Sequence, residues 1–155
     1  MSAFIGSFAI SASVESKLVG LAGFHTPDGS LTGGISAGVL LTQLGVVRGL
    51  RAIAIFSLYE RKPKPGQLLM DGIAVHKDYR GHGIGSQLLR NLVDYARQNG
   101  FATIRLDVID TNPGARRLYE RRGFVPVRTE KFPFLRWLLG FGGSTTMELR
   151  VEDAT

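Results

Sequence analysis

The chain contains no cysteine. That excludes disulfides, thiolate metal sites and a cysteine nucleophile, and it suits a reducing cytoplasm, the compartment expected here. No metal is expected. The first positive side chain is Lys17, so the basic start of a secretory leader is missing and none is expected. Lysines and arginines form no long run, so a nucleic-acid partner is not expected either. Residues 30–47 carry no charge, but Gly33, Gly34, Gly38 and Gly45 interrupt them, with Thr32, Ser36, Thr42 and Gln43 among them. A spanning helix needs about 20 mostly apolar residues, so this stretch reads as a buried helical pair rather than a membrane span. Internal repeats and low-complexity tracts are absent.

What remains is an ordinary globular composition. The 155 residues fit one domain over residues 1–155 with a real core, and 44% hydrophobic against 21% charged residues is the balance of a folded protein. The net charge of +6 favours an anionic partner. Nucleic acid and a phosphorylated cofactor both answer to that, and the scattered lysines and arginines favour the cofactor.

Arg80-Gly81-His82-Gly83-Ile84-Gly85-Ser86 supplies a place for it. Three alternate glycines follow a short basic segment and lead into an apolar-periodic helix. Glycine lets a ligand approach the backbone, and the first N–H groups of a helix are unpaired and carry the positive end of its dipole. Such a turn cradles phosphate. The alternative is a tight turn that merely needs glycine. The dinucleotide fingerprint fits worse, because its glycines follow the strand directly. A P-loop would need a lysine that Gly85-Ser86-Gln87 lacks.

Alternation and turn residues predict the remaining elements. Residues 8–14 and 17–25 read as a β-hairpin, closed off by the turn Thr26-Pro27-Asp28-Gly29. Residues 39–59 show helical spacing, interrupted near Gly45. A strand is predicted over 67–75, a helix over 86–99 with Gly100 past its end, and a strand over 102–108. Asn112 caps a short helix with Pro113 at its first position, and that helix ends at Gly123. Residues 124–127 and 145–151 read as the last strands. Between them lies the apolar segment 132–139, which reads as a wall of a binding pocket, a homodimer face, core packing or a membrane contact.

Two segments, Val75-His-Lys-Asp-Tyr-Arg-Gly-His-Gly-Ile-Gly-Ser86 and Asp110-Thr-Asn-Pro-Gly-Ala-Arg-Arg-Leu-Tyr-Glu-Arg-Arg-Gly-Phe124, together resemble the GNAT superfamily of acyl-CoA-dependent N-acetyltransferases. Arg80, Gly83 and Gly85 are similar to its Arg/Gln-x-x-Gly-x-Gly/Ala signature. The second segment resembles its asparagine-to-tyrosine helix. The resemblance covers about residues 67–127. It implies an α/β (α+β) fold: one domain with a mixed, mostly antiparallel sheet splayed at the cofactor strands and flanked by helices. The N-terminal region departs from the pattern. Members usually place a strand and two helices before the first hairpin, whereas here the hairpin starts almost at once and a helical segment, about 30–60, follows it. That segment is expected to shape the acceptor site.

The resemblance further implies that acetyl-CoA lies between strands 67–75 and 102–108. Backbone groups of Ile73, Ala74 and Val75 would pair with the pantetheine, and one N–H would polarise the thioester carbonyl. Arg80 and the N–H groups of Gly81, His82, Gly83, Ile84, Gly85 and Ser86 would hold the pyrophosphate. Asn112, Ala115 and Arg116 would meet the cofactor from the short helix, although Asn112 also reads as a plain cap and the arginines as a solvated face. Tyr119 matches the tyrosine beside the leaving sulfur, where a phenol can protonate the thiolate; a core aromatic is the other reading. An amine acceptor, either a small molecule or a peptide, must lose a proton before it attacks. Many members use a glutamate for this, and Leu69 stands in its place. Asp71, two residues on, is the first candidate base; Glu60, His76 and water follow. A non-catalytic acyl-CoA-binding module remains the alternative function.

Overall fold

A computed structural model describes residues 2–5, 8–27, 29–30 and 63–154. The expected helical segment about 30–60, with Glu60, lies outside them. In chain order the described elements are β1 (Ser2–Ile5), β2 (Ala9–Val14), β3 (Lys17–Thr26), β4 (Gly29–Ser30), β5 (Gln67–Val75), α1 (Ile84–Gln98), β6 (Thr103–Ile109), α2 (Pro113–Glu120), β7 (Val125–Lys131), α3 (Arg136–Leu139) and β8 (Gly143–Arg150).

The strands form one mixed sheet in the order β1-β2-β3-β5-β6-β8-β7, with the short β4 paired to β3. Only the β5–β6 pair is parallel among them, and α1 makes the crossover that a parallel pair needs. The predicted hairpin forms as β2–β3. Glu15 and Ser16, at φ 49° and 65°, make the two-residue turn whose twist matches the flanking strands. β1 precedes it and pairs antiparallel with β2, a strand that the sequence reading did not assign.

α1 buries Ile84, Leu88, Leu89, Leu92, Val93 and Ala96 along one face. They meet Ile10, Phe24, Leu68, Ile104 and Leu106 of the sheet in the main core. Each fully buried leucine contributes about 1.5–3 kcal/mol. The helix ends where Gly100 turns left-handed, with Phe101 N–H bonded to Ala96 C=O at 2.9 Å. It begins two residues before the predicted start, because Gly83 rather than Gly85 is its N-cap. β7 runs on to Lys131, beyond its predicted end, and carries a bulge between Pro126 and Arg128.

One feature of the sheet positions the site. β5 and β6 pair only from Gln67↔Thr103 to Met70↔Leu106. Beyond that, β5 stays with β3 and β6 stays with β8. The two central strands part, as the resemblance implies. At the point of parting, β5 is bulged: Phe24 faces Met70 and Gly23 faces Gly72, which leaves Asp71 without a partner on β3.

Candidate active site

The glycine turn stands at one end of this fork. After β5, His76 caps a single turn over Lys77–Tyr79 by accepting the Asp78 N–H at 3.4 Å. Asp78 returns its carboxylate to within 3.6 Å of the same ring. His76 is thus engaged as a local cap. Arg80 folds back, its Nε donating to Val75 C=O at 3.1 Å, and ties the strand end to the turn. His82 Nδ1 lies 2.9 Å from Arg80 C=O.

Gly81 and Gly83 are left-handed, at φ 80° and 78°, and a Cβ on either would meet nothing within 4 Å. Gly85 differs: its Cβ would lie 3.4 Å from Leu118 and 3.8 Å from Val75, so it serves the packing of α1. No side chain caps α1 and no acid stands in its first turn. The first bond of the helix runs from Gln87 N–H to Gly83 C=O, so the N–H groups of Ile84, Gly85 and Ser86 precede the ladder. The result is an open, electropositive backbone cradle that suits a diphosphate.

Ile73, Ala74 and Val75 pair with β3 on one side, and alternate residues of this stretch turn their N–H and C=O groups towards the fork. On the other arm, Asn112 caps α2 with its Oδ1 accepting Ala115 N–H at 3.1 Å, as the sequence predicts. Arg116 is paired with Glu120 at 2.9 Å. Asn112, Pro113 and Arg116 line an open cavity of about 460 Å³ that reaches Val108 and Ile109 of β6 and is bordered by Lys131, Pro133, Arg136 and Gly142. A cavity of this size is in the range of small-molecule sites.

The two faces of the sheet differ beside the fork. Ile104, Leu106 and Val108 of β6 enter the main core, so alternation puts Arg105 and Asp107 on the opposite face. There Asp107 accepts the Thr146 hydroxyl, and Arg105 keeps Nε buried without a hydrogen-bond partner among the described residues. Asp71 reaches the same side, where its Oδ1 lies 2.6 Å from His25 Nε2. Both side chains are about a quarter exposed. Burial pushes the Asp71 carboxyl above its ordinary value of 3.8, and the charge and hydrogen bond of His25 oppose that rise. His25 was not singled out from the sequence. It lies on a different strand, and a lone histidine in a hairpin carries no local signal.

Tyr119 belongs to the main core, 5% exposed, with its ring 5.9 Å from that of Phe124. Its hydroxyl has no hydrogen-bond partner among the described residues, and burial pushes the phenol up to about 12. The core placement anticipated as the other reading of Tyr119 is therefore present, and the phenol stays protonated throughout the neutral range.

Comparison with known proteins agrees with this geometry. The profile of the "Acetyltransferase (GNAT) family" matches residues 3–124. A protein named "Probable N-acetyltransferase camello" from Xenopus tropicalis is 41% identical over 69 residues, 44% of this chain and 32% of that protein. The [Ribosomal protein bS18]-alanine N-acetyltransferase of Escherichia coli (strain K12) is 40% identical over 63 residues, 39% of this chain and 43% of that protein. The matched stretch thus spans less than half of these two relatives. Among solved structures, the ribosomal-protein-S18-alanine N-acetyltransferase from Escherichia coli has a TM-score of 0.62 at 20% identity, covering 97% of this chain and 74% of that one. The structure of yncA from Salmonella typhimurium with its cofactor acetyl-CoA has a TM-score of 0.63 at 16% identity, covering 95% and 66%. At such identities these two structures speak for the fold.

Proposed function

The chain belongs to the GNAT family of acetyltransferases, and on that premise we propose that it transfers an acetyl group from acetyl-CoA to a primary amine by direct attack. One observation carries the reading: the strands part at Met70↔Leu106, one residue before Asp71, on the same arm that leads into the uncapped glycine turn. The chemistry of these groups fits acetyl-CoA at both ends, with backbone donors for the diphosphate and a strand edge for the amide-bearing arm. Residues 67–127 act as the cofactor core of a single domain.

Bound acetyl-CoA supplies the thioester carbonyl. An N–H of the Ile73–Val75 stretch donates to that oxygen as the amine nitrogen adds to the carbon. Asp71, steadied by His25, takes the proton that the amine must lose. Tyr119 gives its phenolic proton to the sulfur as the carbon–sulfur bond breaks. Gly81 to Ser86 and Arg80 hold the phosphates, while Asn112, Ala115 and Arg116 flank the arm. The acceptor approaches from the face that carries Asp71. A protein amino group is one acceptor class, in keeping with the name of the Escherichia coli relative. A cytoplasmic setting suits both the cofactor and the lack of cysteine.

Calorimetry with coenzyme A, followed by thiol release against amines, amino acids, polyamines and peptides, tests this. Saturable binding with turnover is expected. Binding without turnover on any amine would make the chain an acyl-CoA-binding module instead. No binding at modest ionic strength would remove the reading altogether.

A further inference from the structure

The connection from β7 to β8 is fixed from within. Phe132, Leu139 and Phe141 form a small buried cluster of their own, with the rings of Phe132 and Phe141 5.7 Å apart and Ile109 and Leu135 packed against them. Phe132 N–H donates to Gly142 C=O at 2.8 Å. Asp110 accepts the Gly142 N–H, with its two oxygens at 3.3 and 3.2 Å. Gly140, left-handed, closes α3 by donating to Arg136 C=O at 2.9 Å. On this frame Phe134 is 72% exposed and Trp137 is 83% exposed, the two most exposed large apolar side chains among the described residues.

The apolar character of this tip is not needed by the cavity. Lys131, Pro133 and Arg136 line the edge of that cavity nearest the tip, and Phe134 and Trp137 do not. Nor does the tip suit pairing with a second copy. Lys131 and Arg136 stand beside it, and neither side chain has a hydrogen bond or ion pair among the described residues, whereas Arg128 is paired with Glu130 at 2.9 Å. A two-fold contact centred on the tip would gather the unpaired Lys131 and Arg136 of both copies around one small apolar patch.

We propose that the tip docks the protein on a bilayer rich in anionic phospholipid. Phe134 and Trp137 enter the interfacial layer, and Lys131 and Arg136 meet the headgroups. Tryptophan suits that layer because its ring is apolar with one polar edge. Each cation near an anionic surface raises affinity roughly fivefold, and the whole-chain charge of +6 adds long-range attraction. No described helix is long and apolar enough to cross a membrane; the proposed contact is a peripheral one.

Trp137 is the one tryptophan of the chain, so its fluorescence reports on the tip alone. The full chain is mixed with vesicles of phosphatidylglycerol and phosphatidylcholine at low salt. A blue shift and co-sedimentation are expected, weakening as salt rises and on pure phosphatidylcholine. Phe134→Ser with Trp137→Ser keeps every charge and exposes no core, and it should weaken co-sedimentation about tenfold or more. Lys131→Glu with Arg136→Glu keeps the reporter and should abolish the shift. The proposal is overturned by any of three results: no shift on anionic vesicles, equal co-sedimentation of the double-serine variant, or a shift that tracks protein concentration without vesicles and marks self-association. None of these depends on coenzyme A, so catalysis and docking stand or fall separately.

Discussion

Gly83→Ala separates the two duties of the glycine turn. At φ 78° an alanine is strained, and because a Cβ there meets nothing within 4 Å, the strain is the whole folding cost. A left-handed non-glycine residue costs roughly 1–2 kcal/mol. In a chain of 155 residues that lowers Tm by roughly 2–8 °C. Gly100 is the matched control. It is left-handed at φ 73°, its Cβ also meets nothing within 4 Å, and it sits at the far end of α1. Gly100→Ala should therefore lower Tm by a similar amount. Coenzyme A binding should tell them apart. A methyl group on Gly83 stands where the phosphate approaches the uncapped amides. Losing a charge-assisted hydrogen bond costs about 1.5–3 kcal/mol, roughly 10- to 150-fold in Kd. Thermal melts and calorimetry on the two variants check this. If both bind coenzyme A as the parent does, the cradle is a structural turn and the phosphate site lies elsewhere.

Tyr119→Phe removes a hydroxyl with no partner among the described residues, so melting should change little while kcat falls about 100-fold or more at unchanged coenzyme A affinity. The Asp71 carboxyl is raised, and only its ionised form accepts a proton. Activity should therefore climb as pH rises through that raised value, and His25→Leu should move the climb to higher pH by removing the group that opposes it. The same shift has a sign for stability. An acid raised on folding contributes stability that is full below its unfolded pKa and lost as pH rises through the folded one. Chemical denaturation of Asp71→Asn should accordingly show a smaller decline above pH 3.8 than the parent. Asn112→Ala removes the Ala115 N–H cap and should cost about 1 kcal/mol, readable as a fall in the urea midpoint.

Features governed by neighbours in sequence were legible from sequence. The β2–β3 hairpin, the glycine turn and the Asn112 cap each depend on residues within a few positions, and each formed where expected. The contact between His25 and Asp71 was not legible. It joins residues on two strands and depends on a one-residue bulge that no composition signals. β1 was missed because four residues give too short a run for alternation to register. The segment 132–139 was readable as apolar but not as divided. Its hydrophobic residues follow no helical or strand period, and only the fold sends Phe132 and Leu139 inward and Phe134 and Trp137 out.

The bulge at Pro126 has a consequence for how this molecule behaves among its own kind. β7 is the outer rim of the sheet, with Val125 and Val127 more than half exposed, and such a rim invites a stray chain to add on. An imino acid with no amide proton, set at a break in register, denies the newcomer a continuous row of donors. The border is thus a poorer template for accretion than its exposed valines alone would make it.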